Sequence, residues 1–423
     1  MNRSPEVDSR LTRTDKLLAA ALLTALVLRL LFALVYWTGK PLTHDELEYL
    51  HLGHSLATGQ GLHYTSEADA DLPNARYGRA PVYPAFIAAL ETTFGRENVV
   101  RNVRAAQALA GALAVWLLAA LARRIAGARA GLITAWIAAV YPPLVLLSAF
   151  MLSESVYVVL AFGTVLLLST VVDGDTGSAT PSRSRRVGLA AGVLAGLAVL
   201  TRPAMLFFLL IAAVALVARR RLALVAMLAA GSLLIVAPWT LRNFREYHRF
   251  VLVASEGGLT FWTGNHPLSP GEGDMAANPA IKRESQRLRA EHPSLTEEEM
   301  EPIYYREAFA AIGRNPVWWS GLLIRKLFYA VVPLGPSYTL HSWRYRVAST
   351  VPYLLILPTG VAGLVQAWRR GHTPRALLWL MASALLVAIV FLPQERFRIP
   401  AIDPALIVGT AIFLTFARQR AAV

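Results

Sequence analysis

The sequence predicts an all-α integral membrane protein, with about ten transmembrane helices and with interfacial helices and loops gathered on its outer side. Three observations carry that reading. Of 423 residues, 55% are hydrophobic and only 16% are charged, and the mean hydropathy is +0.46, a combination that soluble domains seldom show. Several apolar runs reach the roughly 20 residues that a bilayer-spanning helix needs. Short basic clusters separate those runs and fall on one side when the runs are counted as spans, as the positive-inside rule requires.

The net charge of +14 has the same explanation. Its basic residues cap apolar runs, where they set topology and meet anionic lipid, and no stretch shows a nucleic-acid-binding module. Cysteine is absent, which excludes disulfides and thiolate metal sites.

In chain order, residues 1–16 are polar, with Arg3, Arg10, Arg13 and Lys16, and read as a cytoplasmic tail. The first span, 17–37, is too long for a signal-peptide core and ends in the aromatic anchor Tyr36-Trp37. Arg29 inside it reads as snorkelling to the headgroups or as an inward contact to a lipid phosphate. Residues 38–102 form the first outer loop. It carries a polar segment (Glu67, Asp69, Asp71), then Asn74-Ala75-Arg76-Tyr77-Gly78-Arg79-Ala80-Pro81-Val82-Tyr83-Pro84, then a run over 85–94 too short to span. Spans at 103–122 and 131–149 are separated by Arg123, Arg124 and Arg129. A brief outer turn with Ser153 and Glu154 leads to a fourth span ending at Val172, and 173–186 reads as a flexible inner loop.

Residues 187–218 admit one tilted helix, which would bury Arg202 beside Pro203, or two short spans meeting at Thr201-Arg202-Pro203. The second reading keeps Arg219, Arg220 and Arg221 inside and is preferred. A further span, 222–238, stops at Pro238-Trp239 and completes a core over 17–238. The outer segment 239–347 follows. Within it, residues 316–332 carry Arg325-Lys326 mid-run and read as an interfacial helix rather than a span. Spans at 348–367, 375–392 and 401–417 form the C-terminal part, 348–423.

Directly after the first span stands Thr43-His44-Asp45-Glu46-Leu47-Glu48-Tyr49. Carboxylates beside hydrocarbon need water, a cation or a chemical role. Thr43 and Glu46 have capping-box spacing, which predicts a helix start and places Asp45 on one face with Glu48 and Tyr49. A capped interfacial helix with a solvated acidic face is the plainer reading. His44, Glu48 and His51, at i, i+4 and i+7, could hold a divalent cation such as zinc.

With this topology Asp45, Glu46, Glu48, Arg79, Glu154, Arg202, Arg242 and Arg398 all fall at the outer ends of helices. Acid groups and guanidiniums gathered at one interface suit transfer from a lipid-linked phosphate donor. Arginine neutralises a leaving phosphate through paired charge-assisted hydrogen bonds, and a carboxylate can take the proton of an attacking hydroxyl.

Five motifs then occur in order. They are the Asp45-Glu46 pair after the first span, Arg79-Ala80-Pro81-Val82-Tyr83-Pro84, Leu200-Thr201-Arg202-Pro203, Pro238-Trp239-Thr240-Leu241-Arg242-Asn243 and Arg396-Phe397-Arg398-Ile399-Pro400. Together they resemble the bacterial branch of the GT-C glycosyltransferases, the group containing family 39, the protein O-mannosyltransferases and the lipid A aminoarabinose transferase. The resemblance covers most of the chain, 20–415. It implies a GT-C fold in a bacterial inner membrane, a polyprenyl-phosphate-sugar donor, a glycan, lipid or protein acceptor, a periplasmic active site and inversion at the anomeric carbon. By the same resemblance Asp45 matches the proposed catalytic base, with Glu46 beside it, and Glu154 matches a second acidic position. Arg79, Arg396 and Arg398 match basic positions near the donor phosphate, and Arg202 and Arg242 match family patterns assigned to the same phosphate. The stretch from Leu268 to Glu301 departs from the family's pattern, which leaves the acceptor open.

Each residue also has a plainer use. Glu46 could only cap its helix, Glu154 could bond backbone amides, and Arg396 and Arg398 could anchor to headgroups. Two other functions compete, a polyprenyl-linked sugar transporter or flippase and a membrane scaffold. A transporter should place ionisable groups near the midplane with paired broken helices, whereas here the charges sit at the outer ends.

Overall fold

The computed structural model describes residues 13–62, 78–173, 180–273, 275–333 and 335–421. Most of the polar tail, the segment with Glu67, Asp69 and Asp71, residues 74–77 and half of the 173–186 connector lie outside the described residues.

Helices make up the whole framework, and no strand occurs among the described residues. The first run is α1 (Arg13–Leu31), whose end widens to a π-helical turn over Phe32–Tyr36. The acidic stretch opens α2 (His44–Ala57), and Pro81 precedes α3 (Val82–Phe94). Next comes α4 (Val99–Val140), which is two helices in effect. The chain leaves helical geometry at Ala126 and Gly127, where φ reaches +85°, so the arginines at 123, 124 and 129 flank a genuine break. The short α5 (Pro142–Leu146) and then α6 (Glu154–Val172) follow.

The ambiguous stretch 187–218 is broken, as α7 (Pro181–Val199) and α8 (Met205–Ala218), and Arg202 lies in the turn between them. The expected stop at Pro238 is not a stop. A single helix, α9 (Leu222–Tyr247), runs through it, because Trp239 and Asn243 bind the returning chain at Val251 and Val253 and hold the last turns in place.

The outer segment folds as α10 (Gly257–Asn265), α11 (Pro279–Ala290), α12 (Glu297–Arg314) and α13 (Pro316–Val331). The chain closes with α14 (Trp343–Arg369), α15 (Arg375–Val390), the single turn α16 (Glu395–Arg398) and α17 (Ile402–Ala421). Among the described residues, five helices are long and apolar enough to cross a membrane: Arg13–Tyr36, Arg96–Val140, Glu154–Val172, Leu222–Tyr247 and Trp343–Arg369. Val82–Phe94, Met205–Ala218 and Arg375–Val390 are apolar but shorter.

The core is centred on α17, whose residues 402–412 are all buried, packed on α4 and α14. Gly363 and Gly409 touch backbone to backbone there, and a Cβ on either would not fit. Large apolar side chains such as Leu23, Leu210, Leu234 and Leu355 stand exposed on the outside, as expected of lipid-facing helices.

Arg29 takes neither of its expected roles. It is 1% exposed, and its guanidinium donates to the carbonyls of Ala25 at 3.0 Å and of Ala138 and Ala139 at 3.1 Å. Carbonyls at the end of α4 have no intrahelical partner, so a buried arginine from α1 satisfies them.

Candidate active site

Six separate stretches converge at the first turns of α2. Glu46 begins the assembly. Its Oε2 accepts from the Thr43 N–H at 2.8 Å and the Thr43 hydroxyl at 2.9 Å, while its Oε1 accepts from the Met151 N–H at 2.9 Å. That last bond draws the turn before α6 against the first turn of α2. Backbone bonds do the same for Arg79. The Val82 N–H donates to Leu200 O at 3.0 Å and the Ser255 N–H to Gly78 O at 3.3 Å. The residue after Ser255 is Glu256, which therefore lies beside Arg79.

Arg79 is the hub of the cluster. Its Nη2 lies 3.0 Å from Asp45 Oδ1, and its Nε donates to Glu48 Oε2 at 2.7 Å and lies 3.0 Å from Glu256 Oε1. The guanidinium also sits 5.1 Å above the Tyr49 ring. Arg396 bonds the other Asp45 oxygen, and its Nε donates to Gln394 Oε1 at 2.8 Å. Alongside, Arg202 Nη1 lies 2.6 Å from Glu154 Oε1, with its guanidinium 5.1 Å from the Phe397 ring. The Glu154 side chain is 2% exposed, so this pair is nearly dry, whereas Arg396 is 42% exposed.

These groups line a cavity of about 760 Å³. Its lining carries Asp45, Arg79, Glu154, Arg202, Glu256 and Arg396 together with apolar side chains, among them Leu206 and Phe207 of α8 and Val387 of α15. Burial alone would raise the Asp45 carboxyl. The charges and hydrogen bonds of Arg79 and Arg396 outweigh it and hold Asp45 well below the usual carboxylate range. Glu256 goes the other way. Burial raises it and Arg79 lowers it, but the neighbouring Glu48 and Asp45 carboxylates raise it again, to about 7.

Of the residues singled out from sequence, Asp45, Arg79, Glu154, Arg202 and Arg396 meet on this cavity. Glu46 does not line it, since both its oxygens serve the cap and Met151. Arg242 stacks over Trp239 and Tyr247 on α9, away from the cavity wall. Arg398 points inward. Its Nε donates to Asp403 Oδ1 at 2.9 Å, its plane covers the Tyr353 ring at 3.6 Å, and its side chain is 4% exposed. Residues 396 and 398 leave opposite sides of a one-turn helix, so only the first can reach the cavity.

Sequence reasoning missed Glu256. Its one signal was an isolated carboxylate before Gly257-Gly258 in an otherwise apolar stretch, 250–262. The cation-binding group also differs from the expected one. His44, Asp45 and Glu48 offer ligand atoms within 4.8 Å of one another, and His51 is not among them. One imidazole and two carboxylates suit a divalent cation in type. In this arrangement Asp45 and Glu48 also bond Arg79, and Asp45 bonds Arg396.

Residues 78–241 match the profile of the dolichyl-phosphate-mannose-protein mannosyltransferase family. The fold is similar to that of the Archaeoglobus fulgidus oligosaccharyltransferase AglB, solved with an inhibitory peptide and a dolichol-phosphate. The TM-score is 0.58 at 19% identity, over 97% of this chain and 52% of that one. The chain has the GT-C fold. A second structure of the Archaeoglobus enzyme, with zinc and sulfate, matches at a TM-score of 0.55 and 19% identity, over 96% and 49% of the two chains. ArnT from Cupriavidus metallidurans, bound to undecaprenyl phosphate, aligns at 0.45 and 15% identity, over 96% and 78%. The chain spans about half the length of the oligosaccharyltransferase structures. No curated protein matches it by sequence. The profile match takes in Arg79, Glu154 and Arg202, whereas Asp45, Glu256 and Arg396 lie outside it.

Proposed function

We propose that this chain is an inverting glycosyltransferase that moves a sugar from a polyprenyl-phosphate donor to a hydroxyl acceptor, at the periplasmic face of a bacterial inner membrane. The observation that carries the reading is Asp45 held between Arg79 and Arg396 on the wall of a cavity that also has an apolar lining. Apolar lining that includes Leu206, Phe207 and Val387 suits a prenyl chain, and the guanidiniums on the same cavity suit its phosphate.

In the step itself the acceptor oxygen attacks the anomeric carbon and its proton passes to Asp45. The bond from that carbon to the phosphate oxygen breaks, and the electron pair leaves with the phosphate. Attack opposite the leaving phosphate inverts the carbon. Arg79 and Arg396 carry the charge that develops on phosphate. They also explain how so weakly basic a carboxylate becomes a base. A phosphate that takes hydrogen bonds from both guanidiniums withdraws them from Asp45, and its proton affinity rises. Arg202, paired with the buried Glu154, lines the same cavity.

Mass spectrometry of envelope glycans and glycolipids tests the reading. A strain lacking the chain should lose one defined sugar, restored by the wild type and not by Asp45→Asn. An unchanged envelope in the deletion strain removes the proposal.

A further inference from the structure

Arg396 lines the cavity described above and also a second one, of about 590 Å³, where Gln394 joins it. Gln394 has no part in the transfer step as written, yet it holds this cation. The Arg396 Nε donates to Gln394 Oε1 at 2.8 Å, and the Gln394 Nε2 donates to the carbonyl of Gly273. A side-chain amide suits both bonds, because it accepts at one end and donates at the other. A carboxylate here would set oxygen against the Gly273 carbonyl, and an aliphatic side chain would bond neither partner.

The backbone beneath is held as well. The Gly273 N–H donates to Pro393 O at 3.3 Å, so Gly273 meets the 393–394 stretch through both its N–H and its carbonyl. Just upstream, the last carbonyls of α15 have no intrahelical partner. Lys326 of α13, 0% exposed, donates to Ile389 O at 3.1 Å and to Phe391 O at 2.7 Å. Asn265 of α10 donates to Val390 O at 2.9 Å. The stretch 389–394 is thereby laced to the outer segment at three places.

Arg396 itself rises from the single turn α16, and its long side chain is 42% exposed. Fixing such a side chain costs rotamer entropy that a partner must offset. Two hydrogen-bonded anchors do so, Asp45 at Nη1 and Gln394 at Nε. A phosphate that draws Nη1 away from Asp45 leaves Gln394 as the anchor that remains.

We propose that Gln394 is a positioning residue for the transfer. It pins the guanidinium by its Nε–H, so Asp45 and the donor phosphate exchange places on the outer nitrogens while the cation stays where it is. Gly273, in the stretch from Leu268 to Glu301 that departs from the family's pattern, sets the position of Gln394 in turn. This rests on the transferase reading above and gives the outer segment a share in it.

A double-mutant cycle on the full chain in nanodiscs tests the role, with polyprenyl phosphate and decyl phosphate as probes. Gln394→Met keeps the length of the side chain and loses both bonds. It should weaken each probe about threefold, the value of one lost hydrogen bond, and bring no further loss when Arg396→Ala is already present. Gln394→Ala gives the same cycle should the longer side chain disturb the fold. A slackened outer segment alone would weaken binding by the same factor with or without Arg396, and that result overturns the proposal, as does unaltered binding in Gln394→Met. If decyl phosphate shows the coupling while the wild type ignores polyprenyl phosphate, the prenyl donor reading falls and the role of Gln394 stands. A wild type blind to both phosphates overturns the two together.

Discussion

Arg79 Nη2 lies 3.0 Å from Asp45 Oδ1, and the other oxygen of Asp45 is taken by Arg396, 351 positions away in the chain. Both guanidiniums are therefore shared between a carboxylate and any phosphate that arrives. Asp45→Asn should lower transfer by about 10²–10⁴-fold, the usual range for a lost general base. The amide holds the guanidiniums less firmly, so polyprenyl phosphate should bind as tightly as in the wild type or more so. A transfer assay and a binding titration on one preparation decide it, and retained transfer sinks the role of Asp45.

Arg396 and Arg398 should separate cleanly. Arg396→Ala removes a half-exposed cation from the cavity and should weaken polyprenyl phosphate by about tenfold, near the lower limit for a charge-assisted bond, at unchanged thermal stability. Arg398→Ala leaves Asp403, 0% exposed, without its cation, and should cost roughly 3–5 kcal/mol of stability. A stable Arg398→Ala protein blind to polyprenyl phosphate would return Arg398 to the donor site.

Glu256 should make lipid-phosphate binding depend on pH. Its carboxyl titrates at about 7, and once protonated it no longer competes for Arg79. Affinity for polyprenyl phosphate should therefore rise as pH falls from 8 to 6.5, roughly fourfold if binding raises the Glu256 pKa by one more unit. The phosphate's own second ionisation near pH 6 acts on every variant alike. The ratio of wild type to Glu256→Gln isolates the effect, and a ratio flat across that range argues against it.

Arg29→Met should lower thermal stability and leave polyprenyl phosphate binding unchanged, since its guanidinium serves only carbonyls of α1 and α4. Normal stability with weakened lipid binding would revive the lipid contact read from sequence.

The fold class and the GT-C resemblance were legible because apolar runs, basic caps and ordered motifs are one-dimensional signals. The capping box at Thr43 and Glu46 and the break at Arg202-Pro203 belong to the same kind, being set by neighbours in sequence. What was illegible depends on where a side chain points. Arg396 and Arg398 look equivalent two residues apart, yet one faces the cavity and the other Asp403. Glu256 carries no periodic signal, and the bond from Ser255 to Gly78 brings it to Arg79. Pro238 misled for a related reason. Its missing N–H marks a helix boundary unless distant groups, here Val251 and Val253, steady the turns beyond it.

The bond from Met151 to Glu46 has a wider consequence. It welds the first turn of α2 to the start of α6, so the spacing between the carboxylates of Asp45 and Glu154 works as a fixed gauge. Loops on either flank can drift, lengthen or be exchanged over evolutionary time while that gauge stays constant. The walls of the adjoining cavities can thus be rebuilt while that gap is left untouched.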